Sequence, residues 1–175
     1  AGPSGAVVAD LLGRRAEVQA LAAVFQRAGF GEYVLLNRMK RIVRQPAAPG
    51  ALSSEAEYAR TDEAQRVLEL LEQSFDKYAE QLPELSEVQA ALAARTVLLV
   101  RAGDDLAGLL FFELTGVSSV LRYWFVAPQY RERKLGSKLM GHYLAGCPAA
   151  RCFLLWVLAD NENALKKYLH YGYVL

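Results

Sequence analysis

The chain has 175 residues, of which 53% are hydrophobic and 22% are charged, and its formal net charge is +1. This composition indicates a folded globular protein, with one domain or one domain plus an extension, rather than a disordered chain. The near-zero net charge argues against a nucleic-acid-binding protein, which usually has a clearly basic domain.

The first fifty residues predict an N-terminal helix and strand that are followed by a linker. Apolar side chains recur at helical spacing over residues 10–28, and Gly29 stands where a glycine cap is expected. Residues 33–43 mix β-branched, aromatic and basic side chains, as a strand does. Two prolines and a glycine favour a linker over residues 45–54. We therefore divide the chain into an extension, 1–50, and a main domain, 51–175.

The main domain predicts alternating helices and strands. Thr61 or Asp62 could cap its first helix, which carries apolar residues from Val67 to Phe75 on one face. The elements in chain order are a strand at 57–60, this helix, a helix at 83–94, strands at 96–101, 106–114 and 117–126, a helix at 134–145, a strand at 152–158 and a helix at 163–171. The order predicts an α/β (α+β) fold, with a mixed, largely antiparallel sheet layered by helices.

The stretch from Tyr123 to Met140 predicts a phosphate site, because a hydrophobic strand runs into Pro128, a basic turn and a helix. The first N–H groups of a helix have no intrahelical acceptors, and the helix dipole places roughly half a positive charge there. Phosphate oxygens satisfy both.

Two patterns in this half of the chain occur together in one known family. The first consists of Val126, Pro128, Tyr130, Arg131, Gly136 and Leu139, and the second of Asn161, Ala164, Tyr168, Gly172 and Tyr173. In their order and their strand-to-helix setting, they resemble the two motifs of the GNAT superfamily of N-acyltransferases. The resemblance covers about residues 56–175. It implies that the ligand of the predicted phosphate site is coenzyme A.

The resemblance implies an N-acetyltransferase that uses acetyl-CoA as a cosubstrate and acts on the primary amine of a small molecule or peptide. No residue has the setting of a covalent nucleophile, which favours direct attack in a ternary complex. The implied cofactor-binding residues are Trp124, Phe125, Val126, Arg131, Arg133, Lys134, Leu135, Gly136, Ser137, Asn161 and Asn163. Tyr168 is the implied proton donor to the CoA thiolate, and its ring could also pack on the sheet. Asn161 could instead be a plain helix cap.

The sequence leaves the general base open. Glu113, near the end of a predicted strand, is our candidate, although an outward-facing strand residue is an equal alternative. Tyr123 and Asp76 are further candidates. In the predicted substrate-facing segment, residues 75–83, Asp76 and Glu80 would suit a cationic amine, or they could simply be solvated. A module that binds CoA or a partner without catalysis is the competing hypothesis.

The chain departs from the family pattern in two places. Lys134 replaces the first motif glycine, so we expect CoA binding to persist with altered geometry. The family fold usually continues with a strand beyond the position of Leu175. The spacing of Phe25, Gly29 and Phe30 repeats that of the second motif, so the extension resembles the last helix and strand of a GNAT domain. It could be a repeat remnant, an extra edge strand, a donor to a second copy in a homodimer, or an unrelated element.

The cysteine count and the hydropathy bear on the cellular location of the protein. Cys147 and Cys152 are too few for a secreted disulfide framework and have no metal-ligand spacing with a histidine pair. No apolar run approaches the ~20 residues that span a bilayer. We expect a cytoplasmic protein with no bound metal and no membrane or nucleic-acid partner.

Overall fold

The computed structural model describes residues 6–44 and 55–175. Its helices are α1 (Arg15–Arg27), α2 (Ala64–Ser74), α3 (Leu85–Ala93), α4 (Leu135–Gly146) and α5 (Glu162–His170). Its strands are β1 (Leu36–Ile42), β2 (Ala56–Tyr58), β3 (Val97–Ala102), β4 (Asp105–Thr115), β5 (Ser118–Val126) and β6 (Cys152–Leu158). Short 3₁₀ turns lie at Thr61–Glu63 and Pro128–Arg133. These elements confirm the predicted order, whereas the predicted linker at 45–54 lies outside the described residues.

The strands form one six-stranded sheet in the order β1-β6-β5-β4-β3-β2. Every neighbouring pair is antiparallel except β5 and β6, which are parallel. This confirms the predicted mixed, largely antiparallel sheet. Pairing between β5 and β6 runs only from Ser118 opposite Cys152 to Leu121 opposite Leu155. Both strands continue beyond that point, so the sheet opens between their carboxyl ends.

Helices cover both faces of the sheet and bury two apolar cores. Leu71 of α2 and Val88 of α3 pack in one core, while Leu139 of α4 and Tyr168 of α5 pack in the other. The apolar residues of α2 and α3 recur at helical spacing, so each helix presents one stripe to the sheet. The expected side-chain cap at Thr61 or Asp62 is wrong, because the Arg60 N–H donates instead to the Glu63 carboxylate (2.9 Å).

A β-bulge in β5 lies next to the opening. Phe111 pairs with Tyr123 and Phe112 pairs with Leu121, which leaves Arg122 as the additional residue in β5. The bulge changes the face to which the following side chains point. Leu121 therefore lies in the core under α4, whereas Tyr123 lies in the core under α2 and α3.

The N-terminal strand β1 belongs to the same sheet as the main domain. It pairs antiparallel with β6 from Leu36 opposite Leu158 to Ile42 opposite Cys152, and a single bridge joins Lys40 to Val174 on its other side. The structure thus places β1 as an added strand beside β6, while the division into two units stays a prediction. None of the α1 residues is buried. Among the described residues, no helix has the length and apolarity needed to cross a bilayer.

Candidate functional site

Trp124 and Tyr168 lie at the opening between β5 and β6, where pairing has ended. Trp124 is in the diverging part of β5, and its ring centroid is 5.6 Å from that of Tyr168 on α5. Tyr171 and Tyr173 complete an aromatic cluster, with centroids 5.8 Å from Trp124 and from Tyr168 respectively. The Trp124 Nε1 atom is buried and has no hydrogen-bond acceptor within the described part of the chain. An orphan donor of this kind is rare in native proteins, so this buried N–H calls for a partner such as a water molecule or a ligand.

The Tyr168 hydroxyl stays protonated at neutral pH. The side chain is only 8% exposed. Burial raises its pKa well above the ordinary phenol value, and the negative charge of Glu80 raises it further. Tyr168 is therefore a hydrogen-bond donor beside the opening, and the two roles expected for it, packing and proton donation, are compatible.

The amino end of α4 lies directly against β5. Leu135, Gly136 and Ser137 supply the first N–H groups of this helix, which by their position lack intrahelical acceptors. A Cβ atom at Gly136 would lie 3.2 Å from Cζ2 of Trp124 and 3.5 Å from a methyl of Val126. Glycine at this position thus lets the helix end approach the strand closely, next to the opening.

Lys134 keeps the backbone conformation that the family's glycine would favour. Its φ is +57° and its ψ is 18°, in the left-handed region. Lysine thus adopts a strained conformation that glycine takes freely, and the expectation of CoA binding with altered geometry stays a prediction. The strain costs roughly 1–2 kcal/mol for a residue with a Cβ. The ammonium adds a positive charge at the start of α4.

The other expected ligand cations are exposed near the same helix end. The Arg131 Nε donates to the carbonyl oxygen of Val126 (3.3 Å), and the Arg133 guanidinium lies 5.1 Å from the ring centroid of Tyr130. Phe125 points to the opposite face, where its ring lies 6.2 Å from that of Phe75. The structure thus brings the cations to the helix start but turns the Phe125 ring toward the acceptor segment.

Asn161 caps α5. Its side-chain oxygen accepts the Ala164 N–H (3.1 Å), which confirms the cap role considered from the sequence. Asn163 is exposed in the first turn of the same helix. A contact of either asparagine with the cofactor stays a prediction.

The turn between α2 and α3 closes the opposite side of the opening, and residues of the bulge hold it in place. Gln81 has a φ of +46°, which is strained for a residue with a Cβ. Its carbonyl accepts hydrogen bonds from the Tyr123 hydroxyl (2.7 Å) and from Arg122 Nη2 (3.1 Å). The Phe75 ring packs 5.2 Å from that of Tyr123. These contacts fix the substrate-facing segment against β5, and no local sequence pattern indicated them.

The three candidates for the general base have other partners. Glu113 is exposed and forms an ion pair with Arg122. Tyr123 directs its proton to the Gln81 carbonyl, and burial raises its pKa. The hydrogen bond from Tyr33 (2.6 Å), with the N–H groups of Ala79 and Tyr78, lowers the pKa of Asp76. Each candidate is thus engaged by another residue, and the role of Glu113 stays a prediction.

The N-terminal segment reaches this acceptor side. Besides the Tyr33–Asp76 hydrogen bond, the Tyr33 and Tyr78 ring centroids lie 6.1 Å apart. A cavity of about 1350 Å³ lies under this segment and is bordered by Tyr78, Ala79 and Trp156 of β6. The extension therefore shapes a space beside the opening, which the sequence did not predict.

The sequence of the second half matches one family. The model of the acetyltransferase (GNAT) family matches residues 64–173, well over half of the chain. The chain belongs to this acetyltransferase family. Both sequence motifs lie within the matched range, which confirms the resemblance found in them. No curated protein matches the chain in sequence.

Solved structures support the same GNAT fold. The GCN5-related N-acetyltransferase from Sphaerobacter thermophilus is 18% identical with a TM-score of 0.65, covering 92% of this chain and 54% of its own. Ard1 from Thermoplasma volcanium is 17% identical with a TM-score of 0.59, covering 69% of this chain and 82% of its own. Arabidopsis thaliana Naa50, in complex with the bisubstrate analogue CoA-Ac-MVNAL, is 24% identical with a TM-score of 0.53, covering 67% of this chain and 80% of its own. The chain thus spans about half the length of the Sphaerobacter protein.

The site fits the cosubstrate that this GNAT family uses. A narrow opening beside Trp124, a helix start with uncapped N–H groups and a cluster of cations suit a long ligand with a pyrophosphate. The close approach of the helix start to β5 at Gly136 and the orphan Trp124 N–H are the observations on which this fit rests. Among the described residues, no group of three or more His, Cys, Asp or Glu side chains is arranged to hold a metal ion.

Proposed function

We propose that the protein transfers an acetyl group from acetyl-CoA to a primary amine by direct attack within a ternary complex. The opening between β5 and β6 carries this proposal, because the start of α4 lies on one face of the sheet and a separate acidic turn lies on the other. The cosubstrate and the amine can therefore be bound at the same time, from opposite faces of the sheet. Membership of the family supports acetyl transfer, and the two separate faces favour direct attack of the amine on the thioester.

The start of α4 would hold the pyrophosphate of the cosubstrate. The amides of Leu135, Gly136 and Ser137 would donate to its oxygens, and the helix dipole favours negative charge there. Arg131, Arg133 and Lys134 would add positive charge at the surface. Because all three are exposed, each contributes a modest, salt-sensitive attraction.

The diverging part of β5 would hold the arm that carries the thioester. Backbone groups of Trp124 and Val126 would face the acyl carbonyl and the pantetheine arm. The Val126 carbonyl accepts the Arg131 side chain, so that contact must give way or be shared when the cosubstrate binds. Tyr168 would then donate its proton toward the thiolate that leaves the acetyl group.

The cysteines do not support a covalent intermediate. Burial raises the pKa of the Cys147 thiol to about 11, which keeps it protonated and a poor nucleophile. Cys152 pairs with Ser118, at the end of β6 where the two strands are still joined and away from the opening. Direct attack by the amine is therefore the simpler route.

The acceptor would enter over the turn between α2 and α3. Asp76 and Glu80 give this turn two carboxylates, which suit an amine that arrives as a cation. The cavity beside Trp156 and Tyr78 gives room for the rest of the acceptor. The analogue in the similar Naa50 structure joins CoA to a peptide, which supports testing peptide amines beside small ones.

Calorimetric titration with acetyl-CoA tests the first half of the proposal. We expect saturable binding that weakens with salt, because the ligand phosphates meet cations. No binding up to millimolar concentration would contradict it. Thiol release with a panel of amines, comprising spermidine, glucosamine and a free-amino pentapeptide, then tests transfer. Binding without turnover on any amine would favour the competing hypothesis of a non-catalytic CoA-binding module.

A further inference from the structure

Glu80 is a carboxylate at the acceptor side of the opening that belongs to neither family motif. Its side chain is half-buried, unlike that of the neighbouring Asp76. Its backbone carbonyl accepts a hydrogen bond from the Tyr123 hydroxyl (3.1 Å), and its Oε2 accepts the Asp76 N–H (3.2 Å). Within the described part of the chain, the second carboxylate oxygen has no donor. Glu80 is thus fixed at the backbone and the side chain, with one oxygen left for a ligand.

Glu80 and Tyr168 contact consecutive residues of β5: the Tyr123 hydroxyl donates to the Glu80 carbonyl (3.1 Å), and the Trp124 ring centroid lies 5.6 Å from that of Tyr168. Tyr123, which holds the Glu80 backbone, lies in the core under α2 and α3, whereas Tyr168 lies in the core on the other face. A sheet separates these faces except where β5 and β6 part after Leu121 and Leu155. The negative charge of Glu80 nevertheless acts on Tyr168 and raises the pKa of its phenol. Because Tyr123 and Trp124 both follow Leu121, in the part of β5 that has parted from β6, Glu80 and Tyr168 lie at this opening on opposite faces of the sheet.

We propose that Glu80 is the general base of the transfer and forms a base–acid pair with Tyr168 across the opening. This inference rests on the amine acetylation proposed above. The cationic amine first loses one proton to solvent. The neutral nitrogen then forms a bond to the acetyl carbon and gives a second proton to Glu80. The carbon–sulfur bond breaks with its electron pair on sulfur, and Tyr168 gives the thiolate a proton. Solvent returns a proton to Tyr168 and removes one from Glu80, so the products are an amide and a free thiol.

The surroundings of Glu80 favour this role over the other candidates. Burial raises the pKa of Glu80, and the charge of Asp76 adds to the effect. A carboxylate with a raised pKa is a stronger base near neutral pH. Asp76 has its pKa lowered by Tyr33, and Glu113 is engaged by Arg122.

Protonation of Glu80 also assists the acid. While Glu80 is charged, it raises the pKa of Tyr168 and keeps that proton in place. Once Glu80 has taken the amine proton, its charge no longer opposes the loss of the phenol proton. Release of the Tyr168 proton thus becomes easier at the stage when the thiolate forms.

The test is the kinetics of Glu80→Gln, which keeps a side-chain oxygen for the Asp76 N–H. We expect kcat to fall about 100-fold, the typical effect of a lost general base, while the affinity for acetyl-CoA stays within about twofold. Glu72→Gln, on the exposed face of α2, removes the same charge and should leave turnover unchanged. Thiol release is measured with acetyl-CoA and the best amine among spermidine, glucosamine and a pentapeptide.

The pH profile separates a base from a structural carboxylate. In the wild type, kcat at saturating amine should fall on the acidic side as Glu80 becomes protonated, and this limb should be absent in Glu80→Gln. Among the described residues, the charged and titratable groups near Glu80 include Asp76 in its own turn, Arg122 and Tyr123 on β5, and Tyr168 on α5, with Tyr33 bound to Asp76 and Asp10 bound to the adjacent Gln81. Asp76→Asn should therefore shift the acidic limb downward, because it removes a charge that raises the pKa of Glu80.

Each outcome decides the proposal. An active wild type whose Glu80→Gln variant keeps more than half of kcat, or keeps the acidic limb, overturns the role of Glu80 and leaves amine acetylation standing. A variant that loses acetyl-CoA affinity along with kcat shows a structural role and also overturns it. If the wild type releases no thiol with any amine of the panel, both proposals are overturned.

Discussion

The two sides of the opening are built in different ways. The cosubstrate side consists of α4, α5 and the adjoining ends of β5 and β6, all within a continuous stretch of sequence from 118 to 173. The acceptor side consists of a turn held by residues distant in sequence: Tyr123 and Arg122 bind Gln81, and Tyr33 binds Asp76. A site for one constant cosubstrate requires one constant geometry. An acceptor site assembled from separate segments can change in sequence without disturbing the cosubstrate site. The difference predicts that variants on one side leave the function of the other largely intact.

Tyr168→Phe removes the proton donor at the point where the two sides meet, and we expect the largest effect. Loss of general-acid assistance should lower kcat by roughly 100-fold, while acetyl-CoA affinity and thermal stability stay close to wild type because the ring still packs on Trp124. Thiol-release assays measure kcat, titration calorimetry measures the affinity, and thermal unfolding measures the stability. Tyr171→Phe, which alters another phenol in contact with Trp124, is the control and should keep normal turnover. Unchanged turnover in Tyr168→Phe would refute the donor role.

Gly136→Val tests the cosubstrate side alone. The added side chain meets the Trp124 ring and the Val126 methyl, which are 3.2 Å and 3.5 Å from the Cβ position. The helix end must move away from β5, and we expect about a tenfold loss of acetyl-CoA affinity, or ~1.4 kcal/mol. Gly141→Val, on the same helix, has open space around its Cβ and serves as the control. Equal affinity in the two variants would show that the close approach at Gly136 is not required for binding.

Tyr123→Phe tests the acceptor side alone. It removes the hydrogen bonds to the carbonyls of Glu80 and Gln81, so the strained turn loses a support and about 1 kcal/mol of stability. We expect kcat/KM for the amine to fall roughly five- to tenfold through misplacement of the turn, with acetyl-CoA affinity unchanged. Steady-state kinetics with varied amine measure this. A matching loss of acetyl-CoA affinity would show that the two sides are coupled.

Lys134→Gly has the smallest expected effect. Glycine adopts a φ of +57° without strain, so the folded protein should gain about 1 kcal/mol relative to Lys134→Ala, which removes the charge but keeps the strain. Chemical denaturation of the two variants gives this difference. Acetyl-CoA affinity should fall slightly and equally in both, because each loses one exposed cation. A Lys134→Ala variant as stable as Lys134→Gly would contradict the strain.

The cosubstrate side was predictable because its signals are local in sequence. Strand, turn and helix follow one another from Val126 to Gly136, and the second motif places Tyr168 on a short helix and Gly172 just after its end. The conformation of Lys134 was not predictable in the same way, since a lysine carries no local preference for positive φ.

The acceptor side was only partly predictable. The sequence indicated that residues 75–83 face the substrate, but it did not distinguish Glu80 from Asp76. Their difference depends on Tyr33, which is 43 residues away from Asp76 and lowers its pKa by a hydrogen bond. The bulge at Arg122 likewise depends on pairing with β4, which no pattern within β5 encodes. Such contacts between distant segments are set by the assembled sheet.

A crystal structure of the protein with CoA tests the central claim most directly. We expect the pyrophosphate at the N–H groups of Leu135, Gly136 and Ser137, and the sulfur in the opening between β5 and β6, within hydrogen-bond distance of the Tyr168 hydroxyl. Glu80 should lie across the opening from that sulfur. CoA bound elsewhere, or a sulfur out of reach of Tyr168, would contradict the account.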